Sequence, residues 1–123
     1  MPDRSYQLCE EATGRIIVAR LEMARSFWKQ TVGLLGRRGL PADGGIWLEP
    51  CNSIHTIGMQ FTIDVLFLDA SGALVHAASS VRPWRICWPV WRARVVVEIP
   101  EGTIALRNIQ PGNRYKIRGS GSP

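Results

Sequence analysis

Cys51 and His55 stand in a C-x3-H arrangement inside a polar cluster that also holds Asn52, Ser53 and Thr56. A cysteine nucleophile needs a nearby base and an electropositive setting. His55 could be that base and Asp64 could orient it, which makes Cys51 and His55 the catalytic candidates. Nothing in the spacing requires the two to face each other. Cys51 serves equally well as a small packed hydrophobe, and His55 as a ligand contact or a turn anchor held by backbone hydrogen bonds. A metal site would need a third and a fourth ligand. Cys9, Cys87, His76, Asp64 and Asp69 are the further donors, but they are scattered and no pair has zinc-ribbon spacing. No metal and no cofactor is expected.

Asp64 and Asp69 bracket the run Asp64-Val-Leu-Phe-Leu-Asp69. Their odd separation puts them on opposite faces of a regular strand, so they do not form an acid–base pair. Asp69, just before Ser71-Gly72, suits turn capping. Asp64 opens a buried strand and needs a partner. That partner is either an arginine, Arg85 first, or nearby backbone amides. The second unusual stretch is Arg82 to Arg94, RPWRICWPVWRAR, with three of the five tryptophans and four arginines. Trp84, Trp88 and Trp91 among Arg82, Arg85, Arg92 and Arg94 could stack bases while binding phosphate. They could equally contact a peptide, a protein or a small anion, or simply pack through cation–π contacts. Trp84 is expected to pack over a sheet, and Trp88 and Trp91 to be exposed.

These side chains must be carried by short strands. Tyr6–Cys9 and Arg15–Met23 read as a hairpin around the turn 11–14, because Ile17, Ala19 and Leu21 alternate with Val18, Arg20 and Glu22. From Ala24 to Leu35 the period becomes helical, with Ser26 as N-cap and Gly36 as terminator, predicting one short helix near residues 26–36. Ile46–Glu49 is a short strand ended by Pro50. The strand to Asp69 turns at Ala70-Ser-Gly72 and returns as Ala73–Val81. Pro83 and Pro89 make 82–94 an irregular loop. Arg94–Ile99 is a strand, Thr103–Asn108 a helical turn or bend, and Arg114–Arg118 a last strand. The total is an α+β fold, mainly an antiparallel or mixed sheet able to curl into a small barrel.

The 123 residues make a single domain, with an ordered core of about 6–118 and flexible ends at 1–5 and 119–123. The closing Gly119-Ser-Gly-Ser-Pro123 is left out of the fold reading. No apolar run reaches the ~18–20 residues of a membrane span, and no apolar stretch follows a basic start. An odd count of three cysteines, with no CxxC pair, fits a reducing compartment, so the expected location is the cytoplasm. The net charge of +5 comes from 13 Arg against 2 Lys. Arginine suits planar anions because its fork donates two parallel hydrogen bonds.

The order of several blocks resembles the bacterial and archaeal family known as domain of unknown function 192. Gly33-Leu-Leu-Gly36-Arg37, Gly45-Ile-Trp-Leu48, Cys51-Asn-Ser-Ile-His-Thr-Ile-Gly-Met59 and Asp64-Val-Leu-Phe-Leu-Asp69 followed by Gly72 carry the likeness. Pro83-Trp-Arg85, Val97-Glu-Ile-Pro-Glu-Gly102 and Pro111-Gly-Asn113 complete it, over about residues 15–118. Leu35, Ile99 and Asn113 depart from the common methionine, leucine and aspartate, and Asn113 alone loses a charge. Members of that family are often secreted or lipid-anchored, but no such signal is read in this sequence, so the resemblance carries over no location. The resemblance implies a compact β-rich fold and supplies no activity.

Taken together, the residues favour a small non-catalytic binding domain. Its site is expected where the His55–Met59 edge meets the Pro83–Arg94 loop. Asn52, Ser53, His55, Thr56, Asp64 and Arg85 would orient a small anionic ligand or peptide, and Met59 and Trp84 would wall it. A cysteine-dependent enzyme using Cys51 and His55, and an RNA or single-strand binder using the Trp/Arg loop, are the alternatives. Oligomeric state is left open, since edge strands could pair two subunits.

Overall fold

The computed structural model describes residues 5–24 and 37–120, and nine strands lie among them. In chain order they are β1 (Ser5–Glu10), β2 (Ile16–Ala24), β3 (Gly44–Leu48), β4 (Ile54–His55), β5 (Ile63–Leu68), β6 (Leu74–Val81), β7 (Ile86–Cys87), β8 (Val95–Pro100) and β9 (Tyr115–Ser120). One short helix, α1, spans Thr103–Leu106. The helix expected near 26–36 lies outside the described residues. A strand inside the irregular 82–94 loop was not foreseen: β7 is only two residues long and pairs with β4, so the stretch around it remains loop.

Seven strands form one mixed sheet in the order β6-β5-β8-β3-β2-β1-β9, and β4 and β7 form a second, two-stranded sheet. The β1–β2 and β5–β6 hairpins pair antiparallel as their turns require, while β2 and β3 are parallel. The ladder between β1 and β9 runs from Ser5↔Ser120 to Glu10↔Tyr115, so pairing extends into both ends expected to fray. The large sheet curls until its edges meet at one isolated bridge, Ala73↔Arg114. It is a curled open sheet and does not close into a barrel. Gly72 lets those edges approach. Its φ is +86°, and a Cβ there would collide with the Tyr115 carbonyl oxygen.

The centre of the sheet is covered on both faces. Trp47, Leu66, Leu68, Val95, Val97 and Ile99 enter one apolar core together with Leu8, Leu21 and Tyr115. Ile46, Leu48, Val65, Phe67 and Val96 point the other way into a second core with Met59 and Ala93, against which Cys51, Ile54, Cys87 and Val90 pack. That two-sided covering explains why all six residues of β5 are buried. The second core puts the small β4–β7 sheet and the loop to Arg94 on top of the large sheet, which brings the two sequence-predicted segments together.

Candidate functional site

The meeting point of those segments is built on Thr56. It is fully buried, and its hydroxyl donates to the Arg82 carbonyl at 2.6 Å while accepting from the Arg85 amide at 2.9 Å. Its own amide donates to the Arg85 carbonyl at 2.8 Å, and its carbonyl accepts from the Trp84 and Met59 amides at 3.0 and 3.1 Å. One threonine side chain thus fixes the entry to the Trp/Arg loop. The Val90 amide donates to the Asn52 carbonyl at 2.9 Å and ties down the far end. Met59 is buried in the second core. Thr56 and Met59 are therefore supports of the site rather than its exposed surface.

The antiparallel pairs Ile54↔Cys87 and His55↔Ile86 divide the small sheet into two faces. Ile54 and Cys87 pack inward against the second core, while His55 and Ile86 are exposed. Trp84, Trp88 and Trp91 are 65%, 77% and 93% exposed. Trp84 therefore does not pack over the sheet. Its φ of +64° turns the chain outward beside Thr56. Arg82, Arg85, Arg92 and Arg94 are exposed, and none forms an ion pair with a carboxylate among the described residues.

Asp64 takes backbone amides instead of an arginine. Its carboxylate accepts from the amides of Ser80 at 2.9 Å, Gly102 at 3.1 Å and Ile104 at 3.0 Å. It caps α1, whose own N-cap Gly102 has no side chain to do so. Arg85 sits elsewhere, with its guanidinium on the Trp84 carbonyl at 3.5 Å. Asp69 accepts from the Ser71 hydroxyl at 2.6 Å and from the Ser71 and Ala73 amides at 2.8 and 3.0 Å. The Ser71 hydroxyl is the main reason its carboxyl is held below the usual carboxylate range.

Cys51 donates its thiol to the Ser53 carbonyl at 3.0 Å, and no hydrogen bond joins it to His55. Burial pushes the Cys51 thiol above its ordinary value, and the Glu98 carboxylate pushes it further. Burial and Glu98 do the same to Cys87. Both effects oppose thiolate formation, which nucleophilic chemistry requires. No group of three or more His, Cys, Asp or Glu among the described residues is placed to hold a metal ion.

Two features escaped the sequence reading. The first is Glu98, on β8 opposite Ile46 of β3 and Val65 of β5, with its side chain on the second-core face. It is 6% exposed, and its carboxylate has no hydrogen bond among the described residues. Burial raises its pKa from 4.5 to about 7, even though Arg37 pulls it down. The Arg37 guanidinium is itself committed to Glu22 by two 2.8 Å bonds. Glu98 can therefore carry a proton near neutrality. Its sequence signal was a lone acid inside Val95-Val-Val-Glu-Ile99.

The second is the convergence of clefts on Arg94. A cleft of about 310 Å³ lies between Trp47, Glu49, Asp69, Arg94, Tyr115 and Lys116. A second, of about 250 Å³, is lined by Pro50, Cys51, Asn52, Ala93 and Arg94. A third, of about 640 Å³, runs along Asp69, Ser71, Trp91, Arg92 and Arg94. The acids on these walls already have partners: Glu49 accepts from the Trp47 indole at 2.9 Å, and Asp69 holds its turn. The buried Tyr115 hydroxyl has no partner among the described residues.

The chain is 34% identical over 87 residues to a UPF0127 protein of Pyrococcus horikoshii, covering 67% of this chain and 73% of that one. It is 30% identical over 108 residues to a UPF0127 protein of Pyrococcus furiosus, covering 84% and 90%. A crystal structure of a protein of unknown function from Novosphingobium aromaticivorans superposes with a TM-score of 0.76 at 20% identity, over 91% of this chain and 83% of that one, and shares the fold. Residues 8–117 match the model of domain of unknown function 192, described as Uncharacterized ACR, and the chain belongs to that family.

Proposed function

We propose that the protein is a small binding domain for an anionic ligand carrying a carboxylate or phosphate, held at Arg94. The observation that carries this reading is the meeting of three clefts at one exposed guanidinium that has no carboxylate partner among the described residues. A planar fork suits such anions. Arg92 and Lys116 add positive charge along two of the clefts, and Trp47 and Trp91 supply apolar walls. Asn52 lines the second of these clefts beside Cys51 and Arg94. Thr56, Met59 and Asp64 contribute by fixing the frame.

A thermal-shift screen of anionic metabolites and C-terminal peptides tests this, run with Arg94→Ala, Arg85→Ala and His55→Ala beside the parent chain. A ligand at about a hundred times its Kd adds roughly 2.7 kcal/mol, a rise on the order of 10 °C for a domain of this size. The expected result is a hit lost in Arg94→Ala. A hit unchanged in Arg94→Ala, or no hit across carboxylates and phosphates, would sink the reading.

A further inference from the structure

We infer that the outer face of the β4–β7 sheet and the loop after it dock the protein on an anionic lipid surface. The face carries Ile57, Trp84, Ile86, Trp88 and Trp91, exposed by 41%, 65%, 58%, 77% and 93%. Exposure of that much large apolar surface on one connected stretch marks an interaction site. Its own segment carries charge of one sign, and the nearby acid at the Trp91 end, Asp69, is held by its turn. No Asp or Glu occurs between Asp69 and Glu98, while Arg82, Arg85, Arg92 and Arg94 all lie in that interval.

The side-chain types select lipid over other polyanions. Tryptophan is amphipathic and settles at the headgroup level, with the ring among the upper acyl chains and the indole N–H in the wet region. Arginine stems lie along apolar surface while the guanidinium reaches phosphate. Ile57 and Ile86 gain from hydrocarbon but offer no π-face on which a base could stack. Ile57, Trp84, Ile86 and Trp88 line none of the three clefts, whereas Trp91 also walls the third. The clefts lie on the Arg94 side of the loop.

The loop is also held in advance. Thr56 anchors Arg82, Trp84 and Arg85, the Val90 amide bonds to Asn52, and the Ala93 amide bonds to Val90 at 2.9 Å. The backbone that presents the indoles is thus already ordered, which lowers the entropic cost of docking. Attachment of this kind is peripheral: no helix among the described residues is long and apolar enough to cross a membrane. Docking does not require the ligand proposed at Arg94, because Ile57, Trp84, Ile86 and Trp88 line none of the three clefts there and Trp91 alone of the five is shared.

The test is co-sedimentation of the full chain with vesicles of phosphatidylcholine alone and of phosphatidylcholine with phosphatidylglycerol, with indole emission recorded in parallel. The expected result is binding to the anionic vesicles only, a blue shift of the emission, and weakening with salt. The double variant Trp88→Ala/Trp91→Ala should lose at least tenfold in partitioning while keeping the parent's melting temperature. Arg82→Gln and Arg85→Gln should each cost roughly fivefold. Absence of binding to anionic vesicles would overturn the proposal, as would unchanged binding by the tryptophan double variant. Retention of a single-stranded RNA by the same tryptophans without vesicle binding would overturn it in favour of nucleic acid.

Discussion

Replacing Glu98 with glutamine keeps the shape of a buried side chain and removes its titration. In the folded protein its pKa stands at about 7 against an ordinary 4.5, and each unit of difference is worth about 1.36 kcal/mol. The folded state therefore holds a proton that the unfolded state has lost between those two values. Stability from this residue is fully present below about pH 4.5, declines as pH rises, and levels off above about pH 7, having lost roughly 3 kcal/mol. Burial is the dominant cause, and Arg37 works against it without a direct bond. Urea unfolding of the parent chain and of Glu98→Gln, from about pH 4 to pH 8, isolates this contribution, because the other carboxylates titrate alike in both proteins. The amide shifts the whole curve by a constant, so the informative quantity is the change in the gap with pH. The gap should move by roughly 3 kcal/mol in favour of glutamine over that range. A gap constant to within about 1 kcal/mol would refute the reasoning and mean that ionised Glu98 finds a compensating partner in solution.

Asp64→Asn leaves one oxygen to serve three amides and sets its own NH2 group against amide hydrogens. Charge-assisted bonds of this kind carry ~1.5–3 kcal/mol each when buried, so a loss of about 3 kcal/mol in urea unfolding is expected, and less than about 1 kcal/mol would show that α1 does not depend on the cap. Cys51 should react with iodoacetamide at pH 8 more slowly than free cysteine, since burial and Glu98 both hold its thiol protonated. A rate above that of free cysteine would reopen the nucleophile reading.

The hairpins and the two-sided strand were legible because their signals are local. Ala70-Ser71-Gly72 names its own turn, and the glycine is required where the edges of the sheet meet. Alternation in Arg15–Met23 placed β2 to within a residue or two of its ends. The order of strands was not legible, because the parallel pairing of β2 with β3 joins strands far apart in the chain and neither strand's own pattern names its neighbour. The two residues of β7 were missed for a related reason. Ile86 and Cys87 have no periodicity to read, and they are a strand only because Ile54 and His55 lie alongside.

The site divides along the same line. Sequence brought the 51–59 edge and the 82–94 loop to one place, but it assigned polar residues to the ligand without asking what the backbone there would demand. Thr56 and Asp64 show the difference: three amide donors around a carboxylate, and a hydroxyl shared between two loop carbonyls and an amide, are demands of loops and a helix end that must be met before any ligand arrives. Glu98 is the converse case. Read as a half-buried strand, Val95–Pro100 would put its acid on the wet face. Because β3, β5 and β8 are covered on both sides, that face is dry, and the charge is left without the water the pattern promised. An acid on a doubly covered strand is therefore costly wherever it ionises, and the pH dependence of Glu98→Gln measures that cost directly.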